Sequence, residues 1–86
     1  MTNQILIEEF GQRIRQLRTE KNISQEELSF LTGFHRTYIG MVERGERNIS
    51  LSNIGVFAKV FDLTVSELMN FGVTDQAKKY KTKLKT

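Results

Sequence analysis

Apolar residues recur along this chain at intervals of three and four, the period of a helix buried on one side, and no alternation of the strand type is present. Ile7, Phe10, Ile14 and Leu17 make one such stripe and predict a first helix from Asn3 to about Lys21. Ser24-Gln25-Glu26-Glu27 has the form of a capping box, so a second helix is expected to open at Ser24. A third is expected from His35 to about Arg44, stopping at Gly45, with a loop through Asn48. Ser50 caps a fourth that carries Leu51, Ile54, Phe57, Ala58 and Phe61. Thr64-Val65-Ser66-Glu67 repeats the capping box and predicts a short fifth helix through about Phe71, ended by Gly72. The expectation is an all-α domain of five helices over residues 1–71. A lysine-rich, flexible tail is expected at 72–86, with only Tyr80 and Leu84 as large apolar residues.

The second and third helices are the informative pair. Ser29 is small enough for the two to cross closely, and Gly33 can take the positive φ that ends one helix and begins a tight turn. Ile39 and Val42, three apart, fasten the third helix by one face. The opposite face, with His35, Arg36, Thr37, Gly40 and Met41, is then left for a ligand. Helix-turn-helix geometry sets such a face into the major groove of DNA.

Composition narrows the alternatives. At 86 residues the chain is expected to form one domain, and without cysteine it has neither disulfides nor thiolate metal ligands. A single histidine leaves a metal site unexpected, and no cofactor is expected. No histidine pair, phosphate-binding glycine loop or nucleophile–base set is present, which argues against an enzyme. The apolar runs are far short of a membrane span, and MTNQILIEEF has no basic segment before its apolar residues, so a cytoplasmic protein with no membrane association is expected. The net charge of +3 is misleading as a nucleic-acid signature. Residues 72–86 hold five lysines and one aspartate, +4 in all, which leaves −1 for residues 1–71. Placement matters more than the sum: Arg36, Arg44 and Arg47 cluster in or just after the third helix.

The segment GQRIRQLRTEKNISQEELSFLTGFHRTYIGMVERGERNIS, followed by SNIGVFAKVFDLTVSEL, closely resembles the Cro/repressor-type helix-turn-helix proteins, the xenobiotic-response-element family, over roughly residues 5–70. R-I-R-x-L-R, S-Q-E-E-L, Y-I-x-x-x-E-R-G and V-S-E-L all fall in order. HRTYIGMVERGERN in a short chain most resembles the controller proteins of restriction–modification systems, dimers that activate when scarce and repress when abundant. The resemblance implies a lambda-repressor-like five-helix DNA-binding domain. There are two departures from the pattern. Phe30 and Leu31 stand where relatives are often polar, with packing on the first helix, packing on a partner chain, or plain exposure all open. Ile49 replaces a frequent proline.

On this reading Arg36 is the first candidate for base readout, its planar fork matching guanine O6 and N7. Thr37 and Met41 can meet thymine methyl groups. His35 stands where relatives place a capping Ser, Asp or Thr, and either replaces the cap or touches DNA. The Tyr38 hydroxyl is expected to meet backbone phosphate, with core packing of its ring as the alternative. Gln25, in the first turn of the second helix, is a phosphate-clamp candidate. Arg47 and Asn48 should reach flanking backbone or groove, and Ser52 can add a phosphate contact, whereas Ser50 is expected to be a plain cap. Arg44 either joins them or pairs with Glu43 or Glu46. Gln12, Arg13, Arg15 and Arg18 are expected on a solvated helical face.

One recognition helix reads too little sequence for genomic discrimination, so a homodimer on a palindromic double-stranded operator is expected, the second helix about 34 Å away. Leu63, Val65, Leu68, Met69 and Phe71 are the expected dimer interface, with the protomer's own core as the alternative destination for them. Glu26 matches a position some activating relatives use toward a polymerase σ subunit. The competing functions are a phage or plasmid repressor, an antitoxin, and a protein-interaction module that no longer reads DNA.

Overall fold

The structure, a computed structural model, describes residues 3–71; the lysine-rich segment 72–86 lies outside the described residues. Five helices follow one another, α1 Asn3–Glu20, α2 Gln25–Thr32, α3 Arg36–Glu43, α4 Leu51–Val60 and α5 Val65–Leu68. Local chemistry sets most of these boundaries. Ser24 and Thr64 each accept a hydrogen bond from the amide three residues on, while Glu27 and Glu67 accept from the Ser24 and Thr64 amides, completing both capping boxes. Ser50 accepts from the Asn53 amide and is the plain cap its position suggests.

The C-terminal ends follow one device. After α1, the amide of Ile23 returns to the Arg18 carbonyl and that of Asn22 to Thr19. After α3, Glu46 returns to Met41 and Gly45 to Val42; after α4, Leu63 returns to Ala58 and Asp62 to Lys59. These are three Schellman closures. Each places its pivot residue at positive φ, 57° for Asn22 and Asp62 and 74° for Gly45. Gly33, at φ 80°, ends α2 as expected.

The fifth helix is shorter than its periodicity suggests. It closes at Leu68 because the Arg13 guanidinium donates to the carbonyls of Glu67 (2.9 Å) and Leu68 (3.0 Å), the groups a longer helix would have used. The chain then bends, and the Phe71 ring meets Phe10 edge-on at 6.4 Å.

Phe10, Ile14, Leu28, Ile39, Val42, Phe57, Ala58, Phe61 and Leu68 form the core, with Leu17, Ile23, Phe34 and Tyr38 packed against it. Full burial of each large side chain contributes about 1.5–3 kcal/mol. Leu51, one of the apolar residues carried by the fourth helix, is 76% exposed at the first position of α4. At Gly11 α1 crosses α3 so closely that a Cβ would overlap the carbonyl oxygens of Val42 and Glu43.

Candidate nucleic-acid interface

α2 and α3 meet through a turn held at three points. The Ser29 hydroxyl donates to the Phe34 carbonyl, Thr32 Oγ1 donates back to the Leu28 carbonyl, and the Phe34 amide donates to Thr32 Oγ1. Ile39 and Val42 are fully buried, so the register of α3 is fixed from within.

Arg36 and Thr37 open the exposed side of α3, and neither side chain hydrogen-bonds to any described residue. His35 is the N-cap: its Nδ1 accepts from the Thr37 amide at 3.1 Å. With Nδ1 as acceptor, the neutral ring carries its proton on Nε2, a donor left for an outside oxygen. Met41 is half-buried, and Arg47, Asn48 and Ser52 are exposed. Arg47 lies over the Tyr38 ring, 5.1 Å from its centre, a cation–π contact. That ring also packs edge-on against Phe34 at 5.1 Å, and its hydroxyl accepts from Asn53 Nδ2 at 3.0 Å. Tyr38 therefore joins α3 to α4 by its hydroxyl, while its ring packs against the turn before α3 and under Arg47 in the loop after it.

Three expectations change here. Gln25 is partly committed within the protomer: one N–H of Nε2 donates to Glu43 Oε1 at 3.1 Å, leaving its second N–H and the backbone amides of the first turn of α2 as donors there. Gly40 is buried and not on the free face; a Cβ would stand 3.1 Å from Arg44 Nη1. Leu68 is fully buried in its own protomer, which removes it from any surface between copies. Leu63, Met69 and Phe71 are partly buried against that core, and Val65, 41% exposed, is the most open of the group. Phe30 and Leu31 are 87% and 54% exposed, so no described residue covers them.

Sequence reasoning missed the hub of the motif. Glu43, with its side chain 4% exposed, accepts from Arg18 Nε (2.7 Å) and Nη2 (3.1 Å) and from Gln25 Nε2, joining α1, α2 and α3 at one carboxylate. Arg18 also donates to the Ile23 carbonyl. Neither Arg13 nor Arg18 belongs to a solvated row. The signal was present: Arg18 stands four residues after Ile14, and Glu43 four after Ile39, on the faces those residues bury. Among the described residues no buried side-chain nitrogen or oxygen lacks a partner.

Arg44 pairs with Glu46 and not with Glu43. Nε and Nη2 donate to the two carboxylate oxygens at 3.0 and 3.1 Å. Hydrogen bonding from Arg44 holds the Glu46 carboxyl below its ordinary range, and the same bond to Glu46 raises the Arg44 guanidinium. The exposed cations of this face are thus Arg36 and Arg47, with Arg44 already matched. Among the described residues no three acidic, histidine or cysteine groups converge as a metal set, and no helix is long and apolar enough to cross a membrane.

Two capped helices at a fixed angle, the second buried on one side and offering Arg36 and Thr37 on the other, define a helix-turn-helix protein. The helix-turn-helix family model matches residues 14–68, and the chain belongs to that family. It is similar to the control protein C.BamHI of Bacillus amyloliquefaciens, 47% identical over 72 residues that cover 83% of this chain and 88% of the relative. It is also similar to the control protein C.SmaI of Serratia marcescens, 44% identical over 59 residues covering 69% and 70%. Among solved structures, the restriction–modification controller protein C.AhdI from Aeromonas hydrophila superposes with a TM-score of 0.69 at 53% identity, covering 72% of this chain and 94% of that one.

Proposed function

We infer that this chain is a DNA-binding transcriptional regulator that acts as the controller of a restriction–modification system. It binds a palindromic operator as a homodimer in the cytoplasm, and it activates or represses according to its own abundance. The observation that carries the reading is the opening of α3, where Arg36 and Thr37 are exposed and their side chains have no hydrogen-bond partner among the described residues, while Ile39 and Val42 lock the helix from behind. Likeness to control proteins supports the controller role. Its family consists of DNA-binding regulators and not of enzymes.

In this reading Arg36 reads guanine, and Thr37 and Met41 meet thymine methyl groups. His35 Nε2, Arg47, Asn48, Ser52 and the first-turn amides of α2 hold phosphates. Val65, with the open edges of Leu63, Met69 and Phe71, meets a second copy. The outer face of α2, with Glu26 beside Phe30 and Leu31, meets a polymerase σ subunit during activation.

Selection from a random duplex library at physiological salt tests the central claim. The expected result is a palindrome whose half-sites lie about 10 base pairs apart, one helical turn. A folded protein that enriches no sequence would overturn the DNA reading in favour of a protein-interaction module. Enrichment of a single unrepeated half-site would overturn the dimer. Val65→Asp should weaken self-association in sedimentation equilibrium and weaken operator binding with it.

A further inference from the structure

Arg44 and Glu46 form a pair whose purpose is not stability. Their side chains are 59% and 49% exposed, and an exposed pair of this kind contributes little to folding. Yet the pair is built with care. Glu46 takes the Nε–Nη2 edge of the guanidinium with both oxygens, the two-pronged edge with which arginine grips phosphate. The remaining nitrogen, Nη1, lies over Gly40; a Cβ there would come within 3.1 Å of it and within 3.8 Å of Gln25 Oε1. A glycine inside a helix is destabilising relative to alanine. Its return here is a seat, at the seam of α2 and α3, that fixes where the Arg44 head rests.

Resting on the reading that α3 binds DNA, we propose that Glu46 is a specificity-determining residue: its carboxylate stands in for phosphate on Arg44 and withholds that arginine from random DNA. Nonspecific binding comes almost wholly from cations that neutralise phosphates and release counterions. A free arginine at the end of α3 would find a phosphate on any duplex. Held by Glu46, it does so only by giving up a charge-assisted, two-pronged bond and bringing the phosphate against the released carboxylate. On the operator, base contacts from Arg36 and Thr37 set the register, and the Arg44–Glu46 unit stays intact at a fixed place with Nη1 toward Gly40. The carboxylate thereby lowers background binding without lowering operator binding, and the ratio between the two rises.

The test is a double-mutant cycle on the full chain, using Glu46→Gln, Arg44→Ala and both together. Binding is measured to the selected operator duplex and to a scrambled duplex across a salt series, with circular dichroism melts confirming that each variant is folded. Glu46→Gln should bind the scrambled duplex several-fold more tightly, with a salt slope steeper by about 0.9, one added phosphate. Operator affinity should stay within about twofold, inside the ordinary scatter of independent sites. In the Arg44→Ala background the same substitution should leave scrambled-duplex binding nearly unchanged. An equal gain on both duplexes, or the same gain with and without Arg44, would mean that Glu46 acts only as a distant negative charge, and would overturn the proposal while leaving the DNA reading intact. Wild-type protein with no preference between the duplexes would instead overturn the DNA reading, and this proposal with it.

Discussion

Replacing Arg18 with methionine removes one side of the buried carboxylate hub and leaves its hydrocarbon bulk in place. Glu43 then keeps a single donor, Gln25 Nε2 at 3.1 Å, on a side chain only 4% exposed. Leaving one partner of a buried ion pair behind costs about 3–5 kcal/mol. A chain of 86 residues has a total stability of about 4–13 kcal/mol, so the loss is a large fraction of what is available. Urea unfolding followed by far-ultraviolet circular dichroism, at one fixed protomer concentration so that the proposed self-association affects parent and variants under the same conditions, gives the readout. With a slope of about 1–2 kcal/mol per molar urea, the midpoint should fall by about 2 M or more. The companion variant Arg18→Met with Glu43→Leu removes both charges. It should recover most of the loss, since apolar replacement of a whole buried pair is often neutral or stabilising. A single variant within about 1 kcal/mol of the parent would refute the hub, that being the ordinary cost of a lone hydrogen bond. A double variant no more stable than the single would show that the Arg18 contact to the Ile23 carbonyl, and not the ion pair, carries the energy.

Gly11→Ala should destabilise the protein by about 1–3 kcal/mol, because the added methyl meets the Val42 and Glu43 carbonyls where α1 and α3 cross; the same urea titration checks it. Asp62→Gly should move stability the other way, by about 0.5–1 kcal/mol, since Asp62 sits at φ 57° in the closure after α4, and a raised melting temperature is the sign to look for. Arg36→Ala should leave the melt unchanged and cost about 1–3 kcal/mol of operator affinity, with relaxed preference at one base pair per half-site when the selection is repeated.

Much of the fold was legible because it is written in local signals. Ser24 with Glu27, Thr64 with Glu67, and Ser50 each announce a helix start through a bond from the amide three residues on, and Gly33 announces a left-handed turn. Interactions between residues distant in the chain were hidden. Arg13 ends α5 from the far side of the domain, a contact across 55 positions that shortens a helix whose own periodicity runs on. Arg18 and Glu43 read as surface charges because charges usually are, although their four-residue spacing from Ile14 and Ile39 put both on buried faces. In the candidate site, Arg36 and Thr37 emerged as the motif suggested, while Gln25, Tyr38 and Arg44 proved already engaged within the protomer. Residue types showed which groups can bind a nucleic acid, but only packing showed which of them are free to do so.

α3 divides its eight residues between two kinds of selection. Ile39, Val42 and Glu43 answer to the interior, and a change at Glu43 is felt by three helices. Arg36 and Thr37 are exposed, and no described residue hydrogen-bonds to their side chains. Substitutions at such exposed positions cost little folding stability, so if these residues read the operator as proposed, its preference can drift in single steps while the scaffold stays constant. On the proposed reading, two regulators of this shape in one cell can therefore come to ignore each other's operators after very few mutations, a short route to independent circuits built from one shape.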